Sequence, residues 1–173
     1  ELRALKEREE HKSHSYLVLQ YYGFNVEKPP FDNVNLRKAV AHAIDRSEIV
    51  KVLGGGDIPL KSWVPTGMFG HEADRGLGFD VEKAQDYLKK AGYEDASKLP
   101  TISLAFNTNE NHQKVAENVQ AQLKRNLSLN VELKNNQSYN YKIFNAAGQL
   151  LLRNVLSHNK NSINLKGLKK SNK

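Results

Sequence analysis

The chain has 173 residues, of which 39% are hydrophobic and 26% are charged, and it contains no cysteine. This length predicts one compact domain, or one domain with an appendage, and the lack of cysteine excludes disulfides and cysteine-based zinc sites. No apolar run reaches the roughly 18–20 residues that a membrane helix needs. The first residues are charged and polar, which is unlike a signal peptide, and we expect a mature or excised segment.

The net charge of +7 is concentrated at the C-terminal end. Residues 1–137 contain 19 Lys and Arg and 19 Asp and Glu, whereas residues 138–173 contain 7 Lys and Arg and no acid. This distribution argues against a body that binds nucleic acid through a basic face. The shift in composition predicts a boundary near Gln137, between a neutral body and a basic tail.

The N-terminal part of the chain predicts a linker, a strand and a helix. Residues 1–15 are charged and helix-prone, and we expect a linker or the remnant of a helix there. Apolar and polar residues alternate over Tyr16–Val26, which predicts a half-buried strand. The two prolines that follow end this strand. Apolar residues at helical spacing then predict a helix over Asn35–Ile44.

Capping residues mark this helix and the next one. Asp32 or Asn33 can cap the first helix. A second short helix is predicted over Arg46–Leu53, because Asp45 and Glu48 have the spacing of a capping box. The run of three glycines after Leu53 ends this second helix.

The middle of the chain predicts a long loop and then a third helix. Asp57–Leu77 is rich in glycine and proline, which is typical of an ordered loop. Asp80 can cap the third helix, and Gly92 has the position of the glycine that follows a helix end.

A strand–helix–strand unit completes the body. Thr101–Phe106 alternates as a strand, apolar residues then recur every four positions on a helix of about four turns, and Leu129–Leu133 alternates as a second strand. This order predicts a parallel, right-handed βαβ crossover. The fold class is therefore α/β, with helices packed on a mixed sheet.

Four segments of this body resemble the extracytoplasmic solute-binding proteins of peptide importers. They are KPPFDNVNLRKAVAHAIDRSEIV at 28–50, VLGGGDIPLKSWVPTGM at 52–68, FDVEKAQDYLKKAGY at 79–93 and LPTISLAFNTNENHQKVAENVQAQLKRNLSLNVELKNNQ at 99–137. The order and spacing of these segments carry the resemblance, which extends over residues 16–137. It implies one lobe of a periplasmic-binding-protein-like clamp, present without its other lobe.

The resemblance also implies a function and partners. Its members capture peptides outside the cytoplasmic membrane and deliver them to the permease subunits of ABC importers. We therefore expect a non-enzymatic, periplasmic or extracellular peptide-binding monomer, without a cofactor and without a nucleic-acid partner.

The tail at 138–173 has a second pattern. YNYKIFNAAGQLLLRNV predicts two strands joined by a turn at Asn145–Gly148. This hairpin and the later SINLKGLKK resemble the C-terminal sorting domain of the type IX secretion system, although the final strand of that domain is missing. The resemblance implies a contact with secretion machinery and gives an alternative function, namely a secreted or surface-attached module.

Asn107 and His112 are the main candidate ligand-binding residues. Asn107 follows a predicted parallel strand and His112 lies at the start of the next helix, where α/β proteins bind ligands. The resemblance implies that both side chains reach the ligand cleft. The alternative is a turn asparagine and an exposed histidine without a ligand, because loops at strand ends are generally polar.

Tyr21 and Tyr22 are further candidates. The resemblance places them at the crossover between the two lobes. Alternation along a strand turns only one of two neighbours toward any cleft, so packing is the expected role of at least one tyrosine.

Other chemistry is not predicted. His11 and His14 could share a metal, but no third ligand is near in sequence, so we predict no metal site. His42 lies in an alanine-rich helix and is expected to be a surface or packing residue. No nucleophile elbow or phosphate loop occurs, and Asp45 and Glu48 are better explained as caps than as an acid–base pair. A nucleic-acid binder acting through the tail remains the weakest alternative.

Overall fold

The computed structural model describes residues 10–12, 17–135, 138–144 and 150–157. Its helices are α1 (Val34–His42), α2 (Arg46–Leu53), α3 (Val81–Lys90) and α4 (Glu110–Leu127), with a short 3-10 helix at Ala96–Lys98; its strands are β1 (Ile102–Phe106), β2 (Val131–Asn135), β3 (Ser138–Phe144) and β4 (Leu150–Ser157). Most of the predicted N-terminal linker, the turn at 145–148 and the SINLKGLKK segment lie outside the described residues. Among those described, no helix combines the length and apolar character needed to cross a bilayer.

The capping residues set the helix bounds largely as predicted. Asn33, not Asp32, caps α1, because its side chain accepts a hydrogen bond from the Asn35 N–H at 2.9 Å. Asp45 caps α2 through the Ser47 N–H at 2.8 Å. Gly54 ends α2 in the left-handed conformation, with φ of 63°, which a residue without a Cβ adopts at little cost.

The predicted role of Glu48 in a capping box with Asp45 is wrong. The Glu48 carboxylate accepts hydrogen bonds from Asn118 at 3.1 Å and Arg125 at 2.8 Å, both on α4. The Asp45 N–H, which Glu48 would have bound, donates instead to Gln122 Oε1 at 2.6 Å. Partners on a packed neighbouring helix thus replace the local interaction that sequence spacing favours.

The third helix follows its sequence signals. Asp80 accepts a hydrogen bond from the Lys83 N–H at 3.0 Å and caps α3. After the helix end, Gly92 has φ of 92°, and the N–H groups of Gly92 and Tyr93 donate to carbonyls of the last turn. These bonds form a Schellman motif, which explains the glycine at this position.

The predicted crossover is confirmed as a parallel unit. Ile102 of β1 pairs with Val131 of β2, and the register continues to Phe106 and Asn135. The connecting helix α4 has 18 residues, about five turns rather than the four expected. The mixed sheet was not found: among the described strands, β1–β2 and the antiparallel hairpin β3–β4 form two separate sheets.

The core lies where three helices meet the parallel pair. Its buried side chains come from each of these elements: Leu36, Ala39, Val40 and Ala43 from α1 and its end, Ala84 and Leu88 from α3, Val119, Leu123 and Leu127 from α4, Ile102 and Val131 from the strands, and Leu129 from the segment before β2. The four-residue spacing on α4 predicted this buried face. Burial of these side chains fixes the position of α4 against β1.

The predicted strand at Tyr16–Val26 is wrong for its described part. Residues 17–25 have no strand assignment, and each described strand pairs with another partner. Alternation shows that a segment is suited to a sheet, but a strand also needs a neighbouring edge with which to form hydrogen bonds. None of the described strands offers one to this segment.

The predicted ordered loop between α2 and α3 is confirmed. Residues 54–80 contain no helix or strand. Lys61 pairs with Asp74 at 3.0 Å, and His71 Nδ1 lies 2.7 Å from the Val64 carbonyl oxygen. A Cβ placed on Gly76 would lie 1.8 Å from the Lys61 carbonyl oxygen, so this glycine permits two parts of the loop to approach closely.

Candidate functional site

Asn107 and His112 meet at the carboxyl end of β1. Asn107 directly follows the last residue of that strand, and His112 is the third residue of α4. Asn107 Oδ1 lies 2.6 Å from His112 Nδ1. The structure therefore brings together the two residues that sequence reasoning selected, at the edge where α/β sheets bind ligands.

The turn between them is held by a network of asparagine side chains. Asn107 Oδ1 also accepts a hydrogen bond from the Asn109 N–H at 3.1 Å. Asn109 caps α4, and its side-chain oxygen accepts from the N–H groups of Asn111 and His112 at 2.9 and 3.4 Å. The helix start is thus well formed, and its dipole places partial positive charge beside the imidazole.

Gln20 is a third member of the site that sequence reasoning missed. Its Nε2 lies 2.9 Å from His112 Nε2, although the two residues are 92 positions apart. Both imidazole nitrogens therefore have a partner within the chain. No local sequence pattern predicts this contact, because it depends on how residues 17–26 pack against the end of the βαβ unit.

The two tyrosines have different environments. Tyr21 is 66% exposed and its ring packs edge-on against Trp63, with ring centroids 4.8 Å apart. Tyr22 is 40% exposed, and partial burial raises the pKa of its phenol. The Tyr21 ring thus packs on the loop after α2 rather than on the Asn107–His112 pair, and a ligand role for either tyrosine remains a prediction.

Of the other described histidines, His42 and His71 have structural contacts. His42 is buried, as the packing interpretation requires: its Nδ1 lies 2.7 Å from the Gly78 carbonyl oxygen and its ring stacks on Tyr87. His11 is exposed, and His14 lies outside the described residues. Within the part of the chain that the structure describes, no group of three or more metal-ligating side chains occurs.

The carboxylates Asp45 and Glu48 have structural roles. Hydrogen bonding from Ser47 lowers the pKa of Asp45, and hydrogen bonding from Arg125 lowers the pKa of Glu48. Each carboxylate is thus favoured in its charged form. A general acid would need the opposite shift, which agrees with the prediction that these two residues are not an acid–base pair.

Comparison with known proteins identifies the family. The bacterial extracellular solute-binding proteins, family 5 Middle, match residues 2–158. This range runs past Gln137 and includes β3 and β4, so the boundary near Gln137 remains a prediction. The oligopeptide-binding protein OppA of Bacillus subtilis is 42% identical over 125 residues, which are 68% of this chain and 23% of that protein. The chain thus spans about a quarter of the length of the curated relatives that it matches.

Comparison with solved structures supports the same family. A periplasmic oligopeptide-binding protein from Borrelia burgdorferi is 34% identical with a TM-score of 0.69, covering 78% of this chain and 27% of that one. OppA of Haemophilus influenzae, solved in complex with the peptide RPPGFSPFR, is 34% identical with a TM-score of 0.54, covering 65% of this chain and 24% of that one. These relatives are solute-binding proteins, which are not enzymes. The chain belongs to the bacterial extracellular solute-binding proteins of family 5.

Proposed function

We propose that this chain is part of an extracytoplasmic receptor that binds peptides and delivers them to the permease subunits of an ABC importer. Family membership supports this function, and two of the relatives bear the names oligopeptide-binding protein and periplasmic oligopeptide-binding protein. The observation that carries the proposal for this chain is the contact between Asn107 and His112 at the carboxyl end of β1. We also propose that the protein acts as a monomer, because capture and delivery of one ligand require no second copy.

The chemistry of this site suits the carboxylate end of a peptide. The start of α4 provides partial positive charge, and the imidazole of His112 can provide a hydrogen bond to an oxygen. Loop residues at a strand end leave room for an extended ligand, whose backbone groups can be bound without regard to side-chain sequence. Asn107 orients the imidazole through its contact with His112 Nδ1, and the site therefore requires both residues.

Binding to this chain alone should be weak. The described site offers the ligand one surface, so the opposite face of a bound peptide would remain in water. Closed ligand sites bury most of their ligand, and hydrogen bonds exposed to water contribute less than desolvated ones. We expect affinity weaker than micromolar for tri- to pentapeptides, and calorimetry that gave micromolar affinity would contradict this expectation.

The test is chemical-shift mapping with the full chain and a chosen pair of ligands. Trialanine should shift the backbone resonances of Asn107 and His112, whereas trialanine amide, which lacks the carboxylate, should shift them much less. His112→Gln should abolish the difference, and the exposed His11→Gln serves as the matched control. Shifts centred on the lysines of 166–173 would instead show charge attraction to the tail, and the proposed site would have to be abandoned.

A second candidate function concerns the tail. The hairpin β3–β4, with Tyr139–Leu156 and Ile143–Leu152 in register, is the kind of element expected from the resemblance to a type IX sorting domain. In this alternative the chain is a secreted or surface-attached module that contacts secretion machinery. Neighbouring genes for a permease and an ATPase would favour import, and a strong salt dependence of DNA binding would favour the nucleic-acid alternative.

A further inference from the structure

We propose that Gln20 is an internal competitor that occupies His112 Nε2 until a ligand carboxylate displaces it, and that this exchange requires the imidazole to take up one proton. The ligand step rests on the proposed function. The starting state does not, because it is argued from hydrogen-bond geometry within the chain itself.

The hydrogen-bond network defines which nitrogen of His112 carries the proton. The side-chain atom of Asn107 that faces the Asn109 N–H must be the oxygen, because a backbone N–H can only donate. The same oxygen lies 2.6 Å from His112 Nδ1. Nδ1 must therefore donate its hydrogen to Asn107, and Nε2 of the neutral ring is an acceptor.

Gln20 matches this state. Its amide nitrogen lies 2.9 Å from His112 Nε2, and because Nε2 is the acceptor in the tautomer inferred above, we infer that this amide donates a hydrogen to its lone pair. Gln20 and Asn107 together hold the imidazole in the neutral Nδ1–H form. A ligand that approaches Nε2 finds it already paired.

A carboxylate cannot simply replace Gln20. Both the carboxylate oxygen and the neutral Nε2 are acceptors, so no hydrogen bond forms between them. If the ring takes up one proton from water, Nδ1–H still donates to Asn107 and the new Nε2–H donates to the carboxylate. Such a charge-assisted bond is stronger than the neutral one that it replaces.

Charged side chains are few in the described segments that form this site. Residues 17–26 contain Tyr21 and Tyr22 but no acidic or basic side chain, and the turn 107–109 contains none either. On α4 the nearby charged residues Glu110 and Lys114 pair with each other at 2.7 Å. The positions one turn away, which share the face of His112, are uncharged: Thr108, Asn109, Val115 and Ala116. The described residues on this face of α4 therefore include no carboxylate one turn from His112, and a bound ligand would supply one.

The first experiment is long-range ¹H–¹⁵N NMR of the histidine ring in the full, ligand-free chain. We expect a protonated Nδ1 and an unprotonated Nε2 at neutral pH. Gln20→Ala should move the Nε2 resonance toward that of a ring without a partner, and Gln20→Glu should give a ring protonated at both nitrogens, because the introduced carboxylate acts as the ligand would. A ring that has the same spectrum in all three proteins would overturn the proposal, and Gln20 is exposed enough that neither variant should unfold the chain.

The second experiment adds trialanine. Both ring nitrogens should become protonated on binding, and while the unbound ring is neutral the affinity should rise by up to about tenfold for each pH unit of acidification, because one proton is taken up per ligand. Gln20→Ala should bind about three- to tenfold more tightly, because the ligand no longer displaces a hydrogen bond, and Gln20→Glu more weakly. Weaker binding by Gln20→Ala, or an unprotonated Nε2 in the complex, would overturn the inference. A chain that binds no trialanine but gives the expected ligand-free spectra would contradict the proposed function and the displacement step, while leaving the Gln20 contact established.

Discussion

Replacement of Gln122 by leucine should destabilise the chain more than the same replacement at an exposed glutamine of α4. Gln122 is 0% exposed. Its Oε1 accepts from the Asp45 N–H at 2.6 Å, and its Nε2 lies 3.1 Å from the Asp45 carbonyl oxygen and 2.7 Å from Asn118 Oδ1. The side chain thus joins α4 to the junction between α1 and α2, where no hydrophobic contact could satisfy the backbone.

The expected loss follows from these bonds. Leucine leaves the Asp45 N–H and the Asn118 oxygen without this partner, and such a loss costs about 1–3 kcal/mol for a fully buried group. Added apolar burial returns roughly 1 kcal/mol, and the Asp45 carbonyl keeps its role as the first acceptor of α2. The two losses less this gain come to about 1–5 kcal/mol. Because both contacts are only partly buried, we expect a net loss of about 1–3 kcal/mol, a sizeable share of the roughly 5–15 kcal/mol of a typical domain.

Urea unfolding followed by circular dichroism measures this difference. The matched control is Gln113→Leu on the same helix, because the Gln113 side chain is exposed and donates a hydrogen bond to Glu117 one turn away. This replacement should change stability by less than about 0.5 kcal/mol. If Gln122→Leu stayed within that margin of the unaltered chain, the polar contact between α4 and the α1–α2 junction would not be a determinant of the fold.

Three further predictions concern the boundary, the loop and acid stability. A chain that ends at residue 137 should keep a cooperative unfolding transition, because the βαβ unit closes before the hairpin; loss of cooperativity in calorimetry would show that the tail completes the core. Gly76→Ala should lower stability by about 1–3 kcal/mol, because the new methyl group would meet the Lys61 carbonyl, while Gly78→Ala, whose nearest contact is the flexible end of that lysine at 3.7 Å, should be nearly neutral in the same urea assay. The pKa of Glu48 is lowered in the folded chain, so ionised Glu48 stabilises the fold above the ordinary glutamate pKa, and this contribution is lost as the pH falls through the lowered value. Arg125→Met should therefore lower the urea midpoint at neutral pH and make little difference in strong acid. An equal loss at both pH values would mean that the arginine acts through packing alone.

Sequence patterns predicted the elements whose signals are local. The bounds of α2 agree with the prediction because both of its ends carry their own signals, a capping Asp45 and a left-handed Gly54. The parallel pairing of β1 and β2 follows from the length of the crossover between them. Asn107 and His112 could be selected because the first follows a strand end and the second lies in the first turn of the next helix, five residues later.

The patterns failed where the deciding partner is distant in sequence. Glu48 has the right spacing for a capping box, yet the carboxylate turns to Arg125, 77 residues away. Tyr16–Val26 has the alternation of a strand but no strand partner among the described residues. Gln20 has no distinguishing neighbours in sequence at all, and only the packed chain shows that it contacts His112.

Helix α4 connects the stability of the body with the geometry of the candidate site. Its central turns bury Val119 and Leu123 in the core and hold the α1–α2 junction through Gln122, while its first turn carries His112 at the surface. Because one rigid helix performs both roles, the core fixes the position of the imidazole relative to β1, and Asn107 then fixes its orientation. Gln20 differs from both, since it comes from a segment without regular structure. Gln20 can thus leave His112 without disturbing the core. A site that exchanges an internal partner for a ligand requires this property.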